Sequence, residues 1–507
     1  MKKALSIILA AILAFSIPVA VFADSEKCSC SMTPVVFVPG FGEAIYQNPQ
    51  SKERTSVFPP EADTTEAAIP DIIKAVVGLL TGQFDFFGTY AMNAANLILG
   101  PAALYSDGTS PENVGVDFEL PSVDTHKTYA FPQSEDDDEG YFEFIYDWRL
   151  DPIENAKKLE KYIKAVKELT KHDEIILACH SQGNTVVASY LHLYGNDGIE
   201  KILFLSPAFQ GLSLVGSILT RELSLLNKGE AVEEFIKGII DMDDAKNQLI
   251  ISTVSVLNSI GIVDGLLNFL QKAIDSQIDR IFDECLIDLM GTMPGVWSFV
   301  PDEYYEKAKK LTFRGLDKYN ELEEKVDYYH YNVQVKITDL IDEAMASGTD
   351  VIISLGYNIS TIPVTTEKEG HSDFLIDTKY MSIGAVCAPI GKALGENYKQ
   401  ADTSCGHNHV SSDNLIDAST CAYPEITWFI KGNPHNSFHT AYNKFLEWAA
   451  RYNGQPTVHS DVKYPQYMKI GDDKLEPVDG LKPAETRSDI EIIFSSLWIL
   501  INDALAK

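Results

Sequence analysis

Short apolar runs recur along the chain, each closed by turn residues, and such runs read as buried strands. Val35 to Val38, Phe142 to Tyr146, Glu174 to Ala178, Lys201 to Leu205 and Val351 to Leu355 are of this kind, and Ile426 to Ile430 reads as a final strand. Helical patterns lie between them, clearest over Asp151 to Lys171, where apolar and charged residues alternate at helical spacing. Strand–helix alternation predicts an α/β fold, a mainly parallel sheet with helices on both faces. The rhythm breaks after Phe209. From Leu212 to Ala346 helical spacing dominates, with Val263, Leu266, Leu267, Phe269, Leu270, Ile274 and Ile278 recurring on that period. An ordinary helical subdomain would read this way, but insertions at strand ends border ligand sites, so an inserted helical cap is expected.

The start of the chain changes the picture by pointing to export. Lys2 and Lys3 precede an apolar run from Ala4 to Phe15, and Ser16, Pro18 and Val21-Phe22-Ala23 follow. That is the pattern of a signal peptide cleaved after Ala23, with a retained membrane anchor as the alternative. The expected organisation is a leader over 1–23, a first core part over 24–211 and a cap over 212–346. A second core part then covers 347–455, and a C-terminal extension covers 456–507, ending on an amphipathic helix from Ile490 to Ala506.

Charge narrows the partners. The chain carries 73 acidic against 41 basic residues, a formal net charge of −32. Nucleic acid is excluded, and so is an electrostatic grip on anionic lipid. Any contact with lipid is expected to be peripheral and hydrophobic. Seven cysteines in an exported chain suggest disulfides. Cys179 reads as a buried thiol, and the pairing of Cys28, Cys30, Cys285, Cys387, Cys405 and Cys421 is not legible. Cys405-Gly406-His407-Asn408-His409, with Cys421 beyond, offers ligand types for zinc, but the spacing matches no standard site and an oxidising exterior favours disulfides. The acidic loop Ser134 to Gly140 has carboxylates suited to calcium without EF-hand spacing and reads as solvated. No cofactor or metal is expected.

The chemistry centres on Ile175-Ile176-Leu177-Ala178-Cys179-His180-Ser181-Gln182-Gly183-Asn184, an apolar strand running into a sharp turn and then a helical pattern. This is the context of the Gly-x-Ser-x-Gly nucleophile elbow, with Cys179 in place of the first glycine. Ser181 is the expected nucleophile. The Gln182 N–H would stand beside the developing oxyanion, and the Phe41 N–H of Pro39-Gly40-Phe41-Gly42, after the first strand, is the expected second donor. A serine hydroxyl needs a base, and the base needs a carboxylate to orient it; in this fold both follow the serine. Asp413 in Ser411-Ser412-Asp413-Asn414-Leu415-Ile416-Asp417 is the expected acid, with Asp417 its rival. His435 lies just after the last strand and is the expected base, ahead of His439, which falls at the start of a helix. His407 and His409 precede the expected acid and fit that order badly.

Together these segments resemble the lecithin:cholesterol acyltransferase-like family of the α/β hydrolases. The matching islands are Pro39-Gly40-Phe41-Gly42, Tyr146-Asp147-Trp148-Arg149-Leu150, His180-Ser181-Gln182-Gly183-Asn184 and Met293-Pro294-Gly295-Val296-Trp297, reaching Pro301 and Tyr304-Tyr305. Asp413 through Ile416 looks like the family's acid loop, with Asn414 where glycine would stand. The resemblance implies an α/β-hydrolase fold with an inserted helical cap. It also implies acyl transfer from a glycerolipid ester through an acyl-serine to water or an alcohol. A serine peptidase on the same fold, or a non-catalytic secreted binding protein on a hydrolase scaffold, are the competing readings.

Overall fold

The computed structural model describes residues 28, 32–122, 142–224, 245–361, 370–471 and 473–480. The expected leader, the acidic loop Ser134 to Gly140 and the terminal helix Ile490 to Ala506 lie outside the described residues.

The predicted strands form and align. The main sheet contains β1 (Val35–Val38), β2 (Phe142–Glu143), β3 (Ile175–His180), β4 (Ile199–Leu205), β5 (Asp350–Tyr357), β6 (Thr427–Lys431), β7 (Tyr467–Ile470) and β8 (Leu475–Pro477). Their order across the sheet is β2-β1-β3-β4-β5-β6-β7-β8. Every neighbouring pair is parallel except β7 with β8. The central strands are buried on both faces, which is why they read as unbroken apolar runs. The fold is therefore α/β, with helices covering the sheet.

The order of strands decides where a ligand can sit. From β1 the chain crosses to one side to form β2 and then returns to the other side to form β3. Such a switch point opens a crevice at the carboxyl ends of the two diverging strands. The loops leaving β1 and β3 flank that crevice, and these are the segments 39–42 and 181–183.

Helices are laid down where their periodicity predicts. Pro152–Thr170 starts at an Asp151 N-cap, whose Oδ1 accepts from the Ile153 N–H at 2.9 Å, and ends on Lys171 in the left-handed region (φ 60°). Gly183–Tyr194 leads directly out of β3 and is buried from Gly183 through Leu191. Between β4 and β5 the described residues form helices joined by loops and contain no strand, the helices including Ser213–Leu219, Ala245–Ser259, Ile262–Ile281 and Asp302–Thr312. The sequence pattern did not anticipate a helical hairpin of Ala62–Leu80 and Phe84–Leu99, which joins this layer by packing on Ile262–Ile281. It also missed β7 and β8, whose three- and four-residue runs are too short to show a period.

One contact fixes the geometry between β1, β3 and the helix that follows. A Cβ at Gly183 would overlap Val38 O and lie 2.6 Å from Pro39 O. Both obstacles are backbone, so neither can swing aside. Gly183→Ala is predicted to lose about 1–3 kcal/mol of stability, the range for forcing an atom into a packed core. Urea unfolding measures it, and a midpoint equal to that of the native chain would mean that the backbone yields.

Candidate active site

Ser181 sits at the end of β3 with φ 53°, in the left-handed region that non-glycine residues rarely occupy. The surroundings hold it there. Its N–H donates to Leu205 O at 3.0 Å, and its carbonyl accepts from Asn184 Nδ2 at 2.8 Å. Gly40 presses from the neighbouring loop, where a Cβ would lie 2.7 Å from Ser181 Cβ. Ser181 Oγ is thereby aimed at His435, and donates to Nε2 at 2.8 Å.

His435 is in turn oriented by a carboxylate, and that carboxylate is Asp373. His435 Nδ1 donates to Asp373 Oδ2 at 2.7 Å. The carboxylate at Nδ1 places the ring hydrogen there and leaves the Nε2 lone pair facing the serine hydroxyl. The other oxygen, Oδ1, accepts from the Ile376 and Leu375 amides at 2.8 and 3.1 Å. Burial opposes ionisation of Asp373, but the His435 ring and these amides outweigh it and hold the carboxyl below its ordinary value. A second strut locks the pair, since the His435 N–H donates to Asp373 O at 2.8 Å.

This arrangement corrects the expectation that Asp413 would stand at His435. Asp413 is buried beside β6, where Oδ2 accepts from Lys431 Nζ at 2.8 Å and from Tyr357 Oη at 3.2 Å. The rival Asp417 accepts from Tyr398 Oη and the Ala401 amide, both at 2.8 Å. Asp413 ties its loop to the ends of β5 and β6, and Asp417 ties its segment to the chain at 398–401. His439 caps the helix Thr440–Arg451, its Nδ1 accepting from the Ala441 N–H. Asp373 was overlooked although position pointed to it, because it lies in the first loop after β5 and still precedes His435 in the chain.

His180 supports the same histidine from below. Its Nε2 donates to His435 O at 2.9 Å, and its ring centroid is 4.8 Å from that of His435. Burial first, and the neighbouring His435 second, lower its pKa to about 3, so it is a neutral prop.

The segment Tyr146 to Arg149 braces both expected oxyanion donors. Tyr146 Oη donates to Pro39 O at 2.8 Å and Trp148 Nε1 to Glu43 O at 2.9 Å, fixing the two ends of the loop that contains Phe41. The Phe41 ring lies 4.1 Å from the Trp148 ring, between centroids. Gln182 Nε2 donates to Trp148 O at 2.8 Å and Gly295 O at 3.1 Å. Its backbone N–H stands at the start of a helix, where amides lack an intrahelical acceptor. Gly295 is required here, because a Cβ would overlap Trp148 O. Arg149 and Asp147 anchor the segment as a buried ion pair at 2.6 Å, with Arg149 also donating to Ala102 O and Ser110 Oγ.

Above Ser181 opens a cavity of about 570 Å³. Its walls are mostly apolar: Phe37, Leu212, Val215, Met290, Phe299 and Phe438 are among them. Glu43 supplies the carboxyl of the wall, and burial raises it above its ordinary value. Asp377 ties this wall to the Asp373 loop, accepting from the Ser213 amide at 2.8 Å and Ser213 Oγ at 2.9 Å.

No protein-family model and no curated protein matches the chain. Among solved structures, a chain of the crystal structure of the Tle4–Tli4 complex matches at 13% identity and a TM-score of 0.23, covering 64% of this chain and 75% of that one. A likeness of that degree does not bear on function.

Removing one partner of a buried ion pair leaves the other charge stranded, at about 3–5 kcal/mol. Arg149→Met is therefore predicted to lower stability by that amount in urea unfolding, whereas an ordinary surface arginine would lose under 1 kcal/mol. An unchanged midpoint would remove the brace from this account.

Proposed function

We propose that the protein is a serine esterase or O-acyltransferase that acts on lipid or other carboxylic esters through an acyl-Ser181 intermediate. The observation that carries this is the chain Ser181–His435–Asp373 at the floor of an apolar cavity. Ser181 Oγ attacks the ester carbonyl carbon while His435 Nε2 takes its proton, and Asp373 stabilises the imidazolium that forms. The Gln182 and Phe41 amides are the proposed donors to the oxyanion. Collapse of the tetrahedral species breaks the bond to the leaving alcohol, which takes the proton back from His435. Water or an acceptor alcohol then repeats the sequence on the acyl-serine. The complete constellation weighs against a non-catalytic scaffold, and the apolar walls favour an acyl chain over a peptide.

The resemblance to the lecithin:cholesterol acyltransferase-like family supports this reading at four of its islands. Segments 39–42, 146–150, 180–184 and 293–297 are far apart in sequence yet meet around Ser181 through the contacts described above. The fifth island, at Asp413, lends no support. Export after cleavage at Ala23 belongs to the same proposal, on the strength of the leader pattern alone.

A lipid aggregate as substrate is supported by the surface next to the cavity. Met290 in the cavity wall also packs on Met92 and Leu289, which join Phe84–Leu99 to this wall. That hairpin and Ile262–Ile281 expose Ile69, Ile73, Val76, Leu80, Phe86 and Leu266. Among the described residues no single helix is long and apolar enough to cross a membrane. A net charge of −32 would repel anionic lipid, so the proposed surface is zwitterionic.

The test is incubation of the mature protein with phosphatidylcholine, with and without an alcohol acceptor, beside three variants. Ser181→Ala and Asp373→Asn are predicted to lose about three to four orders of magnitude in rate, and Asp413→Asn less than tenfold. Equal losses for Asp373→Asn and Asp413→Asn would overturn the assignment of the acid. A lack of turnover by the native chain on phosphatidylcholine and on simple esters would overturn the enzyme reading. For the aggregate, Ile73→Asp with Val76→Asp is predicted to lower phosphatidylcholine hydrolysis about tenfold or more, because an exposed apolar face drives interfacial binding. Hydrolysis of a soluble short-chain ester should stay within twofold, and a parallel fall on both substrates would count against the surface.

A further inference from the structure

A second cluster of reactive side chains stands at the opposite end of β6 from His435, and ester chemistry has no use for it. Cys405, His407, His409 and Glu425 each offer a ligand atom, and these atoms all lie within 4.8 Å of one another. Glu425 Oε1 is 2.7 Å from His407 Nδ1 and 3.2 Å from His409 Nε2. Its other oxygen is 3.2 Å from His459 Nε2, and the rings of His407 and His459 stand 4.1 Å apart between centroids.

The buried His409 decides what the cluster is for. Its Nδ1 is 2.8 Å from Gln466 Oε1. The Gln466 amide cannot be turned round, because its Nε2 donates to the carbonyls of Pro424 at 2.6 Å and Thr427 at 3.3 Å. The oxygen therefore faces His409, and Nδ1 carries the ring hydrogen. In the neutral ring Nε2 is then a bare lone pair, yet it points at a carboxylate oxygen 3.2 Å away. Two acceptors in that position repel unless a proton or a metal ion lies between them. A histidine whose second nitrogen is held by an amide oxygen, leaving the first free and aimed, is oriented as metal-binding histidines are. The His407 amide adds a further element by donating to Cys405 Sγ at 3.4 Å, which fixes the sulfur beside the two histidines.

We propose that Cys405, His407, His409 and Glu425 form a structural site for a divalent transition metal, zinc foremost. One sulfur, two imidazole nitrogens and one carboxylate oxygen make a four-ligand set suited to tetrahedral zinc and ill suited to calcium or magnesium, which take oxygen. His459 orients Glu425 through Oε2. As the sulfur–metal bond forms, the Cys405 thiol releases its proton to solvent. The site ties the turn at 405–409 to the residue two before β6 and to the turn at 457–460 ahead of β7. Five residues of strand, about 16 Å, separate it from the histidine end of β6, so the metal stabilises the far end of that strand and does not touch substrate.

The test uses the full chain, stripped with a chelator and titrated with zinc against a chromophoric competitor, and in parallel with cobalt. One metal per chain is expected, with the intense visible bands of four-coordinate cobalt and a near-ultraviolet sulfur-to-cobalt charge-transfer band. Cys405→Ser should abolish the charge-transfer band. Gln466→Leu, which releases His409, should weaken zinc binding about 10- to 100-fold. Should that variant fail to fold, His407→Ala on the exposed rim tests the same site and should weaken binding by at least as much. Absence of stoichiometric binding would overturn the proposal. So would a weak, six-coordinate cobalt spectrum, or affinity unchanged in both Cys405→Ser and His407→Ala.

Discussion

The rest of the site depends on how closely a helix can approach a strand. Gly183 begins the helix after β3 with its α-carbon against Val38 O and Pro39 O, a distance that only hydrogen at that position permits. Because the helix starts so near β1, the chain between β3 and the helix has to reverse within about one residue. Ser181 is that residue, and φ 53° is the consequence. A backbone in that region costs of order 1–3 kcal/mol, and the strain is held by the Leu205, Asn184 and Gly40 contacts. The same reversal lifts Oγ clear of the sheet and leaves the Gln182 amide at a helix start.

From that constraint follows the role of the segment Tyr146 to Arg149, for which the sequence offered no more than a resemblance. A loop of glycines and one aromatic, as at 39–42, has no rigidity of its own. It becomes a fixed wall because Tyr146 and Trp148 bond its flanking carbonyls. The Trp148 carbonyl then holds Gln182 from the other side, so one short segment sets the spacing between the two proposed oxyanion donors. A buried Arg149–Asp147 pair is weak evidence for net stability. Its use here is directional: four donors of a planar guanidinium fix the chain reversal after β2 in one orientation.

Legibility in the sequence followed burial. Strands buried on both faces, such as β3 and β4, announced themselves as apolar runs, and the turn at Ser181 and the histidine that meets its hydroxyl, His435, could be placed from them. The acid could not, for a physical reason. An aspartate acquires its role from the backbone amides and the imidazole it meets, here the Leu375 and Ile376 N–H groups and His435, and none of these is encoded in its neighbours by spacing. Asp413 sits in a more suggestive local pattern, yet its partner is Lys431, and that charge holds a loop in place. Position after β5 was the better guide than the look of the motif. The strands β7 and β8 are too short to show a period, and the helices of the hairpin at 62–99 expose many of their apolar residues, Ile73, Val76 and Leu80 among them, which blurs the two-faced pattern.

The strand β6 joins the two chemistries. Its last residue is Lys431, and the chain then turns through Gly432 at φ 68° to deliver His435. Its first residue is Thr427, whose carbonyl accepts from the same Gln466 amide that fixes His409. The strand is hydrogen-bonded on both sides, to β5 along all five residues and to β7 over Phe429 to Lys431, so its register is already fixed by the two ladders. The proposed metal site lies just ahead of that strand, and the Lys431–Asp413 ion pair lies at its end. His435 tolerates little displacement, because moving a reacting group by about 1 Å costs on the order of a hundredfold in rate. Asp413 reaches His435 only through the end of that strand, by way of Lys431, whereas Asp373 bonds the imidazole itself, and the small loss expected on removing Asp413 follows from that difference.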